Sequence, residues 1–219
     1  MPRALFEKTG NAAYISHLDL MRVFQRAFKR ADLPLTHTKG FNPRPSVSIA
    51  MPLSLGMESI CELLDFELES APVSNEEILK RLNASLISGV KVLRVYDDAD
   101  KLKGLAFLDC SVTLEYDAGI PQNAKAAIEE LFAQPEVLVE KKSKNGVSEQ
   151  NIIPMIRNIT VEACSANDLR IDARICCQNP SLNPMQLSAA ISRYLPQFTP
   201  DFVQCKRIEI YNNNNEIFR

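Results

Sequence analysis

Hydrophobic and polar positions along this chain fall into an order of elements that repeats once. Arg3–Lys8 reads as a short strand, followed by a Thr9-Gly10-Asn11 turn and Ala12–Ile15. From Ser16 to Ala31 the period becomes helical. At about 100° per residue, Leu20, Met21, Phe24, Ala27, Phe28 and Ala31 fall on one side, and Arg22, Arg26, Lys29 and Arg30 on the other. Ser16 and Asp19 suit the start of that helix, as cap and as an acid at its positive end. Ser46–Met51 alternates with Val47, Ile49 and Met51 on one face. In Leu63–Glu69, Leu64, Phe66 and Leu68 oppose Asp65, Glu67 and Glu69, which predicts a strand with one solvated face. Ser74, with Glu77 three residues on, opens a second helix through Leu86, and Val90–Tyr96 is the next strand.

The second half has the same grammar. Leu108, Cys110, Val112, Leu114 and Tyr116 alternate with polar residues, and Gln122–Ala133 is helical. Val137–Lys142 reads as a strand, and Asn145-Gly146 is a hairpin-turn signal. Asn151–Glu162 reads as a strand interrupted at Pro154, and Leu169–Cys177 alternates. Asn183 caps a helix beginning at Pro184, whose missing N–H has no helical partner to lose. Gln204–Tyr211 closes the pattern.

Two successive β-α-β-β-α-β runs predict an α+β chain of two tandem ferredoxin-like (βαββαβ) sandwiches. The expected domains are 1–100 and 104–212, divided within Asp97–Gly104, followed by a solvated tail at 213–219 that begins in an asparagine run.

Composition narrows the classes. Of 219 residues, 46% are hydrophobic and 24% charged, as in ordinary folded proteins. No apolar run approaches the roughly 20 residues of a membrane span, and the first residues lack the apolar stretch of a signal peptide. The six cysteines sit mostly in apolar alternating runs, so free thiols and a cytoplasmic location are expected. Net charge is −2, but it is sorted along the chain. Residues 1–50 carry eight Lys/Arg against three Asp/Glu, a net of +5, whereas 51–100 carry four against ten, a net of −6. One local basic region is therefore expected.

That region includes the stretch THTKGFNPRPSVSIAMPLSLG, residues 36–56, which puts His37, Lys39, Asn42 and Arg44 among prolines and glycines. Pro43 and Pro45 fix φ and remove two donors, so the loop is stiff and would lose little entropy on gripping a ligand. Arg22 and Arg26 on the helix could track phosphates, or they could simply form a solvated face. His17 starts the helix and His37 follows its end, so a His–His pair is not expected. Lys141, Lys142 and Lys144 form a second basic knob at a hairpin tip. No C-x-x-C, GxGxxG or Walker pattern occurs, so no metal site and no cofactor are expected. Acids on the 63–69 strand argue against RNA stacking on that sheet face.

SHLDLMRVFQRAFKRADLPLTHTKGFNPRPSVSIAMPLSLGMES, residues 16–59, resembles the signature of the radical SAM-linked protein family, a domain of unknown function. KKSKNGVSEQNIIPMI, residues 141–156, is similar to that family's other motif. The correspondence covers His17, Asp19, Arg22, Arg26, Pro34, Gly40, Phe41, Asn42, Pro43, Pro45 and Gly56. It departs at Arg44, where His or Lys is also expected, and at Asn151, where an acid is expected. The resemblance implies a domain fused to, or encoded beside, radical SAM proteins of the cobalamin-binding type, with neighbourhoods pointing to RNA or the ribosome. The radical SAM cysteine triplet is absent, so the cluster would belong to the partner.

Three functions remain open at this level. The first is a non-catalytic adaptor that binds RNA, a radical SAM partner, or both, through His17, Asp19, Arg22, Arg26, His37, Lys39, Asn42, Arg44, Lys141, Lys142 and Lys144. The second is a metal-independent RNA-acting enzyme using His17 or His37. Tandem ferredoxin-like CRISPR repeat-processing endonucleases set the precedent, but only Gly119 and Gly146 lie beyond residue 104, so their glycine-rich C-terminal motif is missing. The third is a purely protein-interaction subunit.

Overall fold

A computed structural model describes residues 2–69, 73–97, 99–143 and 146–219. The chain forms two compact units, Met1–Gly104 with Phe218–Arg219, and Leu105–Ile217. Each is a ferredoxin-like α+β sandwich.

The first unit runs β1 (Arg3–Lys8), a 3-10 turn (Gly10–Tyr14), α1 (His17–Arg30), β2 (Val47–Ala50), β3 (Glu58–Phe66), α2 (Asn75–Ser85) and β4 (Val90–Tyr96). The strands pair antiparallel in the order β4-β1-β3-β2. Local chemistry starts both helices. Ser16 Oγ accepts the Asp19 N–H at 3.2 Å and donates to Asp19 Oδ2 at 2.7 Å, and Ser74 Oγ accepts the Glu77 N–H at 3.3 Å. The apolar stripe of α1 buries Leu20, Phe24, Ala27 and Phe28 in a core shared with Phe6, Leu64, Phe66 and Leu82. Phe24 meets Phe6 edge-on at 4.8 Å, and Phe28 lies 5.0 Å from Phe66. Asn83 ties α2 to β4 by accepting the Val92 N–H and donating to its carbonyl, both at 2.8 Å. Gly89 is sterically required: its φ is +82°, and an added Cβ would lie 2.5 Å from the Thr9 carbonyl oxygen.

Asp65 corrects the expected solvated face. It is held by the almost fully buried Arg3, with Nε at 2.5 Å and Nη2 at 3.1 Å. The partner lies 62 residues away, so alternation alone could not reveal it.

The second unit runs β5 (Leu105–Glu115), α3 (Ala124–Phe132), β6 (Leu138–Ser143), β7 (Gly146–Asn151), β8 (Ile156–Ala163), β9 (Asp168–Cys176), α4 (Met185–Tyr194) and β10 (Phe202–Asn212). Its sheet order is β10-β5-β9-β8, again antiparallel. The segment expected as the second sandwich strand, 137–142, is instead one arm of a separate two-stranded hairpin, β6–β7. β8 takes the place beside β9, after a 3-10 turn at Ile153–Met155 that holds Pro154. Asn151 closes the base of the inserted hairpin: its Oδ1 accepts the N–H groups of Val137 at 3.0 Å and Ile153 at 3.1 Å, and its Nδ2 donates to the Pro135 carbonyl at 3.3 Å. An amide fits that mixture of donor and acceptor better than a carboxylate. Asn183 Oδ1 accepts the Met185 N–H while the Asn183 N–H donates to Gln186 Oε1, both at 3.0 Å, in the reciprocal manner of a capping box.

The last residues also require a correction. Phe218 is fully buried, with the Arg3 guanidinium 5.5 Å from its ring centroid, so 213–219 is no free tail at that position. Among the described residues, no helix is long and apolar enough to cross a membrane.

Candidate functional site

The stiff loop forms a small hairpin of its own. Its stem is a short ladder in which the Ser46 N–H donates to the Thr36 carbonyl at 2.7 Å, His37 bridges Pro45, and the Thr38 N–H donates to the Arg44 carbonyl at 2.8 Å. The Arg44 N–H donates back to Thr38 Oγ1 at 3.0 Å. The extension beyond β3 anchors this stem. The Thr36 N–H donates to the Glu67 carbonyl at 2.9 Å, the Glu67 N–H donates to the Ser46 carbonyl at 3.1 Å, and Thr36 Oγ1 donates to the Glu67 carboxylate at 2.9 Å.

Beyond the ladder, Lys39, Gly40, Phe41, Asn42 and Pro43 are all exposed. Gly40 takes a φ of +143°, a backbone state that side chains disfavour. Phe41 is 107% exposed, so its ring packs against nothing among the described residues. Burying a Phe ring is worth about 1.5–3 kcal/mol, a gain the fold leaves unused here. Lys39 and Arg44 lie on either side of Phe41 in sequence and make no ion pair among the described residues.

Helix α1 contributes unevenly. Arg22 Nη1 is engaged by Asp19 at 2.7 Å, and that carboxyl is held below its usual range by the Ser16 hydroxyl and then by Arg22. Arg26 is exposed, and Arg30 donates to the Ser85 carbonyl at 2.5 Å, toward α2. On the hairpin side, Gln25, Lys29 and Asp32 from α1 and its following turn join His37, Pro45 and Glu69 around an open cleft of ≈ 410 Å³. His37 Nδ1 lies 3.5 Å from Glu69 Oε1, both half exposed.

The structure thus brings His37, Lys39, Asn42 and Arg44 onto one hairpin. His17 opens the 14-residue α1, a helix about 20 Å long, and is separate from His37. Lys141 lies in β6 opposite Ser148 of β7, in the other unit. Lys144 and the side chain of Lys142 lie outside the described residues. The β6–β7 hairpin is braced on α4 through Arg193 to Glu149 at 2.7 Å and Gln186 to the Glu140 carbonyl at 3.1 Å.

Sequence reasoning missed Gln25, Lys29, Asp32 and Glu69 as cleft residues. The signal for Gln25 and Lys29 was their i, i+4 spacing on the helix edge nearest the loop, whereas Asp32 lies past the helix end at a φ of +53°, where no helical period marks it. Among the described residues, no three His, Cys, Asp or Glu side chains group to hold a metal ion. Burial raises the Cys205 thiol to about 12 and the Cys177 thiol to about 11, so neither is a nucleophile near neutral pH.

No curated protein matches the chain. Among solved structures it is similar to a chain in the crystal structure of a Cbf5-Nop10-Gar1 complex, at 9% identity and a TM-score of 0.50. That likeness is one of fold, and it spans 95% of this chain but 48% of the other. An unknown protein from Galdieria sulphuraria matches at 12% identity over 94% of this chain and 96% of that one, with a TM-score of 0.26, too low to indicate a shared fold. The model of a family described as an uncharacterized protein conserved in bacteria, DUF2344, matches residues 2–184, which contain α1, the loop hairpin and the whole β6–β7 insert; the chain belongs to that family.

Proposed function

We propose that this protein is a non-catalytic adaptor that grips RNA through the hairpin 36–46 and presents it to a radical SAM enzyme. One observation carries the RNA reading: a wholly exposed Phe41 at the tip of a hydrogen-bonded hairpin, flanked in sequence by Lys39 and Arg44 without ion-pair partners among the described residues. An exposed ring with adjacent cations offers a stacking platform and phosphate contacts together. The resemblance of residues 16–59 and 141–156 to radical SAM-linked proteins supports the choice of partner. Four buried free cysteines support assignment to the reducing cytoplasm.

Binding of single-stranded RNA, followed by fluorescence anisotropy with and without the radical SAM enzyme, tests the reading. Wild type should bind, and Phe41→Ala should weaken binding by about 1–3 kcal/mol without altering thermal unfolding. Retention of the enzyme but not of RNA would favour a purely protein-interaction subunit. A second reading draws on the His37–Glu69 contact, which could orient a general base over the cleft. Metal-independent RNA cleavage that disappears in His37→Gln would establish that reading instead.

A further inference from the structure

Charges differ between the tip of the hairpin and the cleft, where Lys29 and His37 stand beside Asp32 and Glu69. Lys39 and Arg44 stand on the hairpin, and Lys29 stands at the helix side of the cleft. Asp32, Glu69 and Gln25 line the cleft itself with Pro34 and Pro45, above Phe28, Leu33 and Leu35, which are buried in the core beneath. An acidic peptide would suit the tip but meet two carboxylates inside, and a basic peptide would meet the opposite conflict. A nucleotide divides its chemistry in the same way as the site. Its phosphate needs cations, whereas its neutral base offers a flat ring and amino donors that carboxylate and amide oxygens accept. The ≈ 410 Å³ of the cleft falls within the usual range of small-ligand sites, about 300–1,000 Å³.

We infer that the cleft between α1 and the hairpin receives one unstacked base of single-stranded RNA. Pro34 and Pro45 flank the ring, and Gln25, Asp32 and Glu69 take its polar edge. Lys29, Lys39 and Arg44 hold the flanking phosphates. The inference rests on the RNA reading above and adds which part of the RNA is held and where.

The experiment compares a random-sequence single-stranded RNA hexamer with a base-free ribose-phosphate hexamer, for wild type and two cleft variants. Gln25→Trp fills the cleft from the helix. Asp32→Asn with Glu69→Gln removes its carboxylates, and asparagine tolerates the φ of +53° at position 32. Wild type should prefer the hexamer that carries bases, and each variant should lose about tenfold of that preference. Equal binding of both hexamers by wild type, or full preference retained in both variants, overturns the base pocket while leaving RNA binding by the hairpin intact. Binding of neither hexamer at low salt overturns the RNA reading, and the pocket with it.

Discussion

Lys8 shows how a single side chain can make stability depend on pH. It is buried, and its Nζ donates to the Ala13 carbonyl at 2.9 Å, which holds the 3-10 turn that leads into α1. Burial pushes its pKa down from 10.5, and the charge of Glu62 pushes it partly back. Between the lowered folded value and 10.5 the unfolded chain binds more protons than the folded one, so stability rises with pH through that window. Urea titrations from neutral to alkaline pH should show this rise in wild type and its loss in Lys8→Met. The same variant should cost about 1–3 kcal/mol at neutral pH, because the Ala13 carbonyl loses its donor and Glu62 a facing charge. Lys8→Met with Glu62→Gln should recover part of that. A Lys8→Met protein as stable as wild type, with the same pH slope, would contradict this account.

At the scale of elements, α1 divides its labour between two faces. Phe24→Ala empties a fully buried position beside Phe6 and should cost about 3–5 kcal/mol in denaturant unfolding, whereas Arg26→Ala on the exposed face should stay within about 0.5 kcal/mol. Equal costs would mean that the helix is seated differently. The helix was legible because its cap and its apolar period are local, written within Ser16–Ala31. The second strand of the second unit was not. Both 137–142 and 156–163 have strand character, and the choice between them is made by pairing with β9, a tertiary contact absent from any period-two pattern. Asp65 departs from its alternation for a related reason, since its partner Arg3 comes from β1.

At the scale of the whole chain, the order of elements in the first unit could be read from pattern switching, as could that of the second apart from the inserted β6–β7 pair, and the stiffness of the 36–46 loop from its punctuation by Gly40, Pro43 and Pro45. The cleft could not. Its walls come from one edge of α1, from the loop stem and from Glu69 beyond β3, and only folding gathers them. Phe218 was hidden likewise, because nothing local to 213–219 says that its ring is buried. The central claim is that the hairpin 36–46 contacts RNA phosphates, and the salt dependence of binding tests it most directly. Single-stranded RNA affinity measured across a range of salt concentrations should give a log–log slope whose magnitude falls by about 0.7 for each lost contact, hence by about 1.4 in Lys39→Ala with Arg44→Ala. An unchanged slope and affinity in that double variant, with its fold intact, would show that the hairpin cations touch no phosphate and contradict the account.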